Sequence, residues 1–258
     1  MTWPSAIDMI HLSVNVNKVA TLRNARGGSV PSVLEAVDVC VAAGAHGITV
    51  HPRADERHIT PADVRTIARA LRAKAPTVEY NIEGDPRPDL LDLVEEVQPD
   101  QCTLVPVAPG EITSQAGWQQ GPATERLPET IRRLQARGVR VSLFVDAEPV
   151  PVSWAASVGA DRVELYTEPY ARAFEHGPDL GRRSFARFAE AARLAHSHGL
   201  GVNAGHDLDL ANLVVFRDVP FLDEVSIGHA IVSRALFMGL ATVVHEYLEV
   251  LAARRDAV

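Results

Sequence analysis

Lysine is almost missing from this chain. Of 25 lysine and arginine residues only Lys18 and Lys74 are lysines, which confines any lysine Schiff-base chemistry to two positions. Cysteine is equally scarce. Cys40 and Cys102 both stand in apolar stretches, which argues against a disulfide framework and for reduced core thiols. Positive charge does not dominate either. The net charge is −8 and the isoelectric point about 5.7, so a basic footprint for nucleic acid is excluded. No apolar run reaches the length of a membrane span. The opening "MTWPSAIDMIHLSV" has no basic stretch leading into a long apolar one. The expectation is a soluble cytoplasmic protein that handles small molecules.

What is present is a regular alternation. β-rich runs recur at "IHLSVNV" (10–16), "GITVHP" (47–52), "TVEYNI" (77–82), "QCTLVP" (101–106), "RVSLFVD" (140–146), "RVELYT" (162–167), "GVNAGH" (201–206) and "EVSIGHA" (224–230). Helical patterns lie between most of them. "TPADVRTIARALRAK" starts with Thr60 as N-cap and Pro61 at the first helical position. "RLPETIRRLQARG" and "SFARFAEAARLAHSHG" each stop at glycine. The weakest crossover is the short "VPVSWAASVG" after the fifth strand. Eight strand–helix units in 258 residues predict an α/β fold, a (β/α)8 TIM barrel, as a single domain over 1–258. Helix-to-strand turns are tight, whereas three strand-to-helix connections are long, at 17–30, 107–126 and 168–183. The extra segments therefore fall on the catalytic face of such a barrel. The apolar tail from Ala230 to Arg254 suits a cover for the barrel, a subunit contact, or both.

Polar groups collect at the strand ends. Asn15 ends strand 1 and His51 strand 2; Glu79 lies on strand 3, and Glu164 and Thr167 lie on strand 6. Asp146, His206 and His229 end strands 5, 7 and 8. Convergence from many strand ends is how a barrel active site is assembled. His51 and His58 suit acid/base work at neutral pH better than metal ligation. Strand 1 reads "LSVNVN", without the H-x-H that opens metal-dependent hydrolase barrels, and no H-E-x-x-H occurs. The plainer reading of His58 is a hydrogen-bonded loop residue. Glu79 and Glu164 sit in strands that should be buried, where a carboxylate must be paired or protonated. Glu83 competes with Glu79, because strand periodicity puts 79, 81 and 83 on one face. "VNAGHD" and "SIGHA" (202–207 and 226–230) place a glycine and a histidine at equivalent ends of strands 7 and 8, where these barrels commonly bind phosphate. Arg23 and Arg26 in "TLRNARGG" (21–28) suit either an anion clamp or a solvated loop.

Several segments together resemble one family. They are "VNVNKVATLRNARG", "GAHGITVHPRADERHI", "LVP" followed by "EITSQAGW", "VSLFVDA", "VNAGHDL" and "IGHAIVSRA". From about Leu12 to the C-terminal helix the chain is similar to pyridoxine 5′-phosphate synthases of the deoxyxylulose phosphate-dependent vitamin B6 route. The resemblance implies a (β/α)8 barrel assembled as a homo-octamer, without metal or organic cofactor. It also implies condensation of 1-deoxy-D-xylulose 5-phosphate with 3-amino-2-oxopropyl phosphate, releasing phosphate and water.

By the same resemblance His51 and Glu79 match the general bases. His206 matches the proton donor, and Glu164 a residue that supports the transition state. Asn15, Gly228 and His229 hold the amino-ketone phosphate, and Asp207 adds a backbone contact. Arg26, Arg53, His58 and Thr113 hold the deoxyxylulose phosphate. Asn17 and Lys18 also face substrate, although many members have Asp-His there. The partners implied are phosphorylated small molecules, with neither nucleic acid nor membrane. Two other readings use the same residues: a Schiff-base aldolase of phosphosugars through Lys18, and a barrel that only binds phosphorylated metabolites.

Overall fold

The computed structural model describes residues 9–107 and 116–253. Eight parallel strands close into one barrel in chain order. They are β1 (His11–Asn15), β2 (Gly47–Val50), β3 (Glu79–Gly84), β4 (Gln101–Leu104), β5 (Arg140–Val145), β6 (Arg162–Tyr166), β7 (Gly201–Gly205) and β8 (Leu222–Ile227). β8 pairs back onto β1 with Leu12 beside Val225. The helices are α1 (Asn17–Asn24), α2 (Val33–Ala42), α3 (Pro61–Lys74), α4 (Pro88–Val97), α5 (Leu127–Gln135), α6 (Pro149–Ser157), α7 (Glu168–Glu175), α8 (Pro178–Ser197), α9 (Leu210–Phe216), α10 (His229–Met238) and α11 (Leu240–Ala252). The expected barrel is therefore present. Two of the long connections fold into helices: α1 lies within 17–30, and α7 within 168–183. The apolar tail becomes α10 and α11, with α11 lying on α2, α9 and β1.

Local chemistry explains these boundaries. Thr60 and Asp63 form a reciprocal capping box at the start of α3, with Pro61 at its first position. The Arg23 guanidinium clasps Asp63 with bonds of 2.6 and 2.9 Å. It also donates to the His58 carbonyl at 3.1 Å. Arg23, open in sequence between an anion clamp and a solvated loop residue, is thus bonded to protein. No helix among the described residues is long and apolar enough to cross a membrane.

The strands alternate strictly. Leu12, Val14, Ile48, Val50, Ile82, Leu104, Val141, Leu143, Val163, Leu165, Val202 and Val225 are fully buried and form the apolar layer beneath the helices. The lumen is different. Ser13, Thr49, Asn81, Thr103, Ser142, Asn203 and Glu224 are all buried there. They bond around the ring: Ser13 to Thr49 at 2.7 Å, Asn81 to Thr49 at 3.3 Å, and Thr103 to Asn81 at 3.1 Å. Asn203 reaches Gln101 at 3.4 Å and Glu224 at 3.3 Å. Such barrels usually fill the lumen with branched aliphatic side chains. Here hydrogen bonds between strands replace many of those contacts, although the Ser142 hydroxyl is buried without a partner.

Candidate active site

One cavity of about 480 Å³ opens where the strands end. Its wall combines residues from nearly every side of the barrel. β1 and α1 supply Asn15, Asn17, Lys18 and Thr21; the segment after β2 supplies His51, Arg53, Arg57 and His58. β3 supplies Glu83, and β6 supplies Glu164. Val105 and Phe144 provide apolar surface. His206, Asp207, Ser226, Gly228 and His229 complete the wall from β7 and β8. The cavity therefore unites Asn15, Asn17, Lys18, His51, Arg53, His58, Glu164, His206, Asp207, Gly228 and His229, all of them expected at the site.

Three expected residues are not among them. Glu79 is the first residue of β3. Its carboxylate is tied to Arg140 at 2.6 Å, and it does not line the cavity. Each strand residue advances about 3.3 Å, so Glu83 stands about 13 Å further along β3 toward the mouth than Glu79. Both share a face, as periodicity requires, but only Glu83 lines the cavity. Of the two carboxylates that compete for the site, the cavity holds Glu83 and not Glu79. Arg26 is exposed in the turn after α1 and does not line the cavity. Thr113 lies outside the described residues.

A chain of amides links the two sides of the site. The His51 backbone N–H donates to Asn17 Oδ1 at 2.9 Å. The Asn17 N–H donates to Asn15 Oδ1 at 3.0 Å. Asn15 Nδ2 then donates to Glu83 Oε2 at 3.4 Å. The side chain at 17 is used as an acceptor, which an amide and a carboxylate supply equally well. Glu83 also accepts from Ser226 at 3.5 Å and stands 3.9 Å from His51 Nδ1.

Burial sets the proton state of these groups. Desolvation, then repulsion from Glu224, pushes the Glu83 carboxyl up to about 8, against the pull of the Ser226 hydroxyl. Desolvation likewise holds Glu164 and Glu224 well above the usual carboxylate range. Burial, with the neighbouring His58 and Arg53 charges, lowers His51 to about 3. His58 falls to about 4 for the same first cause, aided by Arg53 and Lys18. Burial also lowers His206. At neutral pH, then, His51 and His58 are uncharged, and Glu83 is mostly protonated. His58 Nδ1 accepts from the Ile59 N–H at 2.9 Å, which assigns the ring proton to Nε2.

The two glycines at the ends of β7 and β8 serve close packing between strands. A Cβ on Gly205 would lie 2.5 Å from Glu164 Oε1, and one on Gly228 would lie 2.8 Å from the Asn15 carbonyl. Strand alternation carried the signal for two residues that the sequence reading did not place in the site: Ser226 shares a face with Gly228, and Phe144 with Asp146. Arg57 stands at the lip, tied to Asp55, inside the polar burst that follows β2.

Comparison with known proteins agrees with this geometry. Residues 12–253 match the family described as pyridoxal phosphate biosynthesis protein PdxJ. Pyridoxine 5′-phosphate synthase of Bacteroides thetaiotaomicron is 52% identical over 240 residues, covering 93% of this chain and 98% of that one. The enzyme of the same name from Porphyromonas gingivalis is 49% identical, covering 95% of this chain and all of its own. Among solved structures, phosphoribosyl anthranilate isomerase from Thermotoga maritima superposes with a TM-score of 0.61 at 15% identity, covering 95% of this chain and 99% of its own, which shows the barrel alone. With the cavity, its acid/base groups and these relatives in agreement, the chain belongs to the PdxJ family of pyridoxal phosphate biosynthesis proteins.

Proposed function

We infer that this chain is a pyridoxine 5′-phosphate synthase. It condenses 1-deoxy-D-xylulose 5-phosphate with 3-amino-2-oxopropyl phosphate to pyridoxine 5′-phosphate, phosphate and water. One observation carries the reading: a single cavity holds proton-transfer groups from β2, β3, β6 and β7 between two ends suited to anions. At one end Gly228 and His229 begin α10 beside Asn15, where a helix N-terminus favours a phosphate. At the other stand Lys18, Arg53, Arg57 and His58, a cationic and N–H-donating lip. The amino-ketone phosphate belongs to the first end and the sugar phosphate to the second.

The roles follow from protonation. The substrate amine forms the imine with the sugar ketone, so no lysine of the chain is consumed. Glu83, ionised near neutral pH in a small fraction of molecules, removes carbon-bound protons as a strong, desolvated base. His51 is neutral, and its Nε2 is buried without a hydrogen bond; it takes up a substrate proton at that atom. His206 returns protons to leaving oxygens. Glu164, protonated by its surroundings, steadies oxygen that gains charge. The aldolase-type reading through Lys18 is not favoured, because the curated relatives are named as the synthase.

The same reading places the chain in the cytoplasm as a homo-oligomer, an octamer by family resemblance. An apolar patch supports association: Leu236, Phe237 and Met238 at the end of α10 are 67%, 88% and 49% exposed. Light scattering of the purified protein measures its size. The activity is tested by mixing protein, both substrates and a metal chelator. Pyridoxine 5′-phosphate formed in equal amount to phosphate supports the synthase. A folded protein without turnover contradicts it.

A further inference from the structure

The turn that carries His206 has an unusual backbone. His206 has φ +92° and Asp207 φ +58°. Neither residue is glycine, so both occupy a region that side chains disfavour. Such turns persist only where their neighbours hold them. Here the holder is identifiable. Thr167 follows β6, is fully buried and precedes α7 as its N-cap. A threonine at that position ordinarily accepts a hydrogen bond from its own helix. Thr167 makes no such cap. Its hydroxyl instead donates across to β7, to the Gly205 carbonyl at 2.7 Å and, more closely, to the His206 carbonyl. Its backbone N–H also donates to the Gly205 carbonyl at 3.1 Å.

Thr167 is itself immobilised. Its carbonyl accepts from the N–H groups of Tyr170 and Ala171, each at 3.0 Å, in the first turn of α7. The other side of the turn is held from α9, which Tyr170 of α7 ties in place. Asn212 Nδ2 donates to the Asp207 carbonyl at 3.0 Å, and the Asn212 carbonyl accepts from the Tyr170 hydroxyl at 2.8 Å. The imidazole leaves this clamped turn edge-on to Tyr166, with ring centres 5.2 Å apart, and lines the cavity.

We propose that Thr167 is a positioning residue for His206, its hydroxyl holding the left-handed turn that aims the imidazole into the cavity. The proposal rests on His206 acting as the proton donor of this site. A merely structural threonine predicts lost stability; a positioning threonine predicts lost turnover with substrate binding kept.

The test compares wild type, Thr167→Val, Thr167→Ser, His206→Asn and the Thr167→Val/His206→Asn double variant for kcat, KM and thermal unfolding. Valine keeps the shape and removes the hydroxyl. It is expected to lower kcat about 10- to 100-fold with KM for both substrates within about threefold. Serine keeps the hydroxyl and should retain kcat within about threefold. In the His206→Asn background the valine change should cost no more than about twofold. A folded valine variant at wild-type kcat overturns the proposal, as does a serine variant impaired equally, or losses that multiply in the double variant. His206→Asn at full rate instead overturns the reading of His206. If valine prevents folding, Thr167→Ala takes its place in the same comparison.

Discussion

Glu79 and Glu83 stand on one face of one strand and differ in almost every respect that matters to chemistry. Glu79 sits at the bottom of the barrel against Arg140, 2.6 Å away. Glu83 sits at the top with Asn15, Ser226 and a neutral His51 around it. Both are withdrawn from water. Glu79 is paired with Arg140, whereas desolvation and repulsion from Glu224 push the Glu83 carboxyl up to about 8. Burial alone therefore does not mark a working carboxylate; burial without a compensating cation does.

The largest break between the two should be in turnover. Glu83→Gln is expected to lower kcat about 10²- to 10⁴-fold, measured as pyridoxine 5′-phosphate formed. Glu79→Gln should stay within about fivefold of wild type in the same assay, since it touches no substrate.

Stability should reverse the order. Glu79→Gln strands the Arg140 guanidinium in a partly buried place and should cost about 1–3 kcal/mol in urea unfolding. Replacing both partners, as in Glu79→Leu with Arg140→Met, should recover part of that loss. Glu83→Gln should instead stabilise the fold at neutral pH, because a neutral side chain avoids ionising in the unfolded chain.

A pH series sharpens the contrast. Glu83 has a folded-state value raised above the ordinary one, from 4.5 to about 8. The folded chain therefore binds more protons than the unfolded chain in that window, and this group's contribution to stability falls as pH rises through it. Relative to wild type, Glu83→Gln should gain thermal stability from pH 5 to pH 9 and show little difference below pH 5. An unchanged gap across that range would count against a protonated Glu83.

The smallest effect concerns a cation at the mouth. Lys18 lines the cavity from α1, and the proposed function gives it a phosphate contact. Lys18→Met should raise KM about tenfold with kcat nearly unchanged. Borohydride added with substrate should leave no covalent adduct on Lys18.

The barrel was legible because strand and helix periods alternate cleanly and because Thr60-Pro61 and the terminal glycines mark helix ends. The mouth was legible too, since strand ends fall there by construction; His51, Glu164, His206 and His229 all arrive where expected. Depth along a strand was not legible. Residues 79 and 83 have the same parity, and although chain direction puts 79 below 83, the sequence does not show how far down the strand the cavity reaches; the structure ends it at Glu83. The partner of Arg23 was hidden for a related reason: Asp63 is forty residues away in the chain. The polar lumen was hidden as well, because each strand shows only alternation, and the hydrogen bonds that satisfy its inner face come from other strands.

The most direct measurement is the pH dependence of kcat for wild type, Glu79→Gln and Glu83→Gln, assayed side by side. Acting as a base, Glu83 must be ionised, so kcat should rise with pH to a half-maximum near 8 in wild type and in Glu79→Gln. That limb should vanish from the residual activity of Glu83→Gln. A limb near 8 that persists in Glu83→Gln and disappears in Glu79→Gln would return the catalytic carboxylate to the bottom of the strand and contradict the site described above.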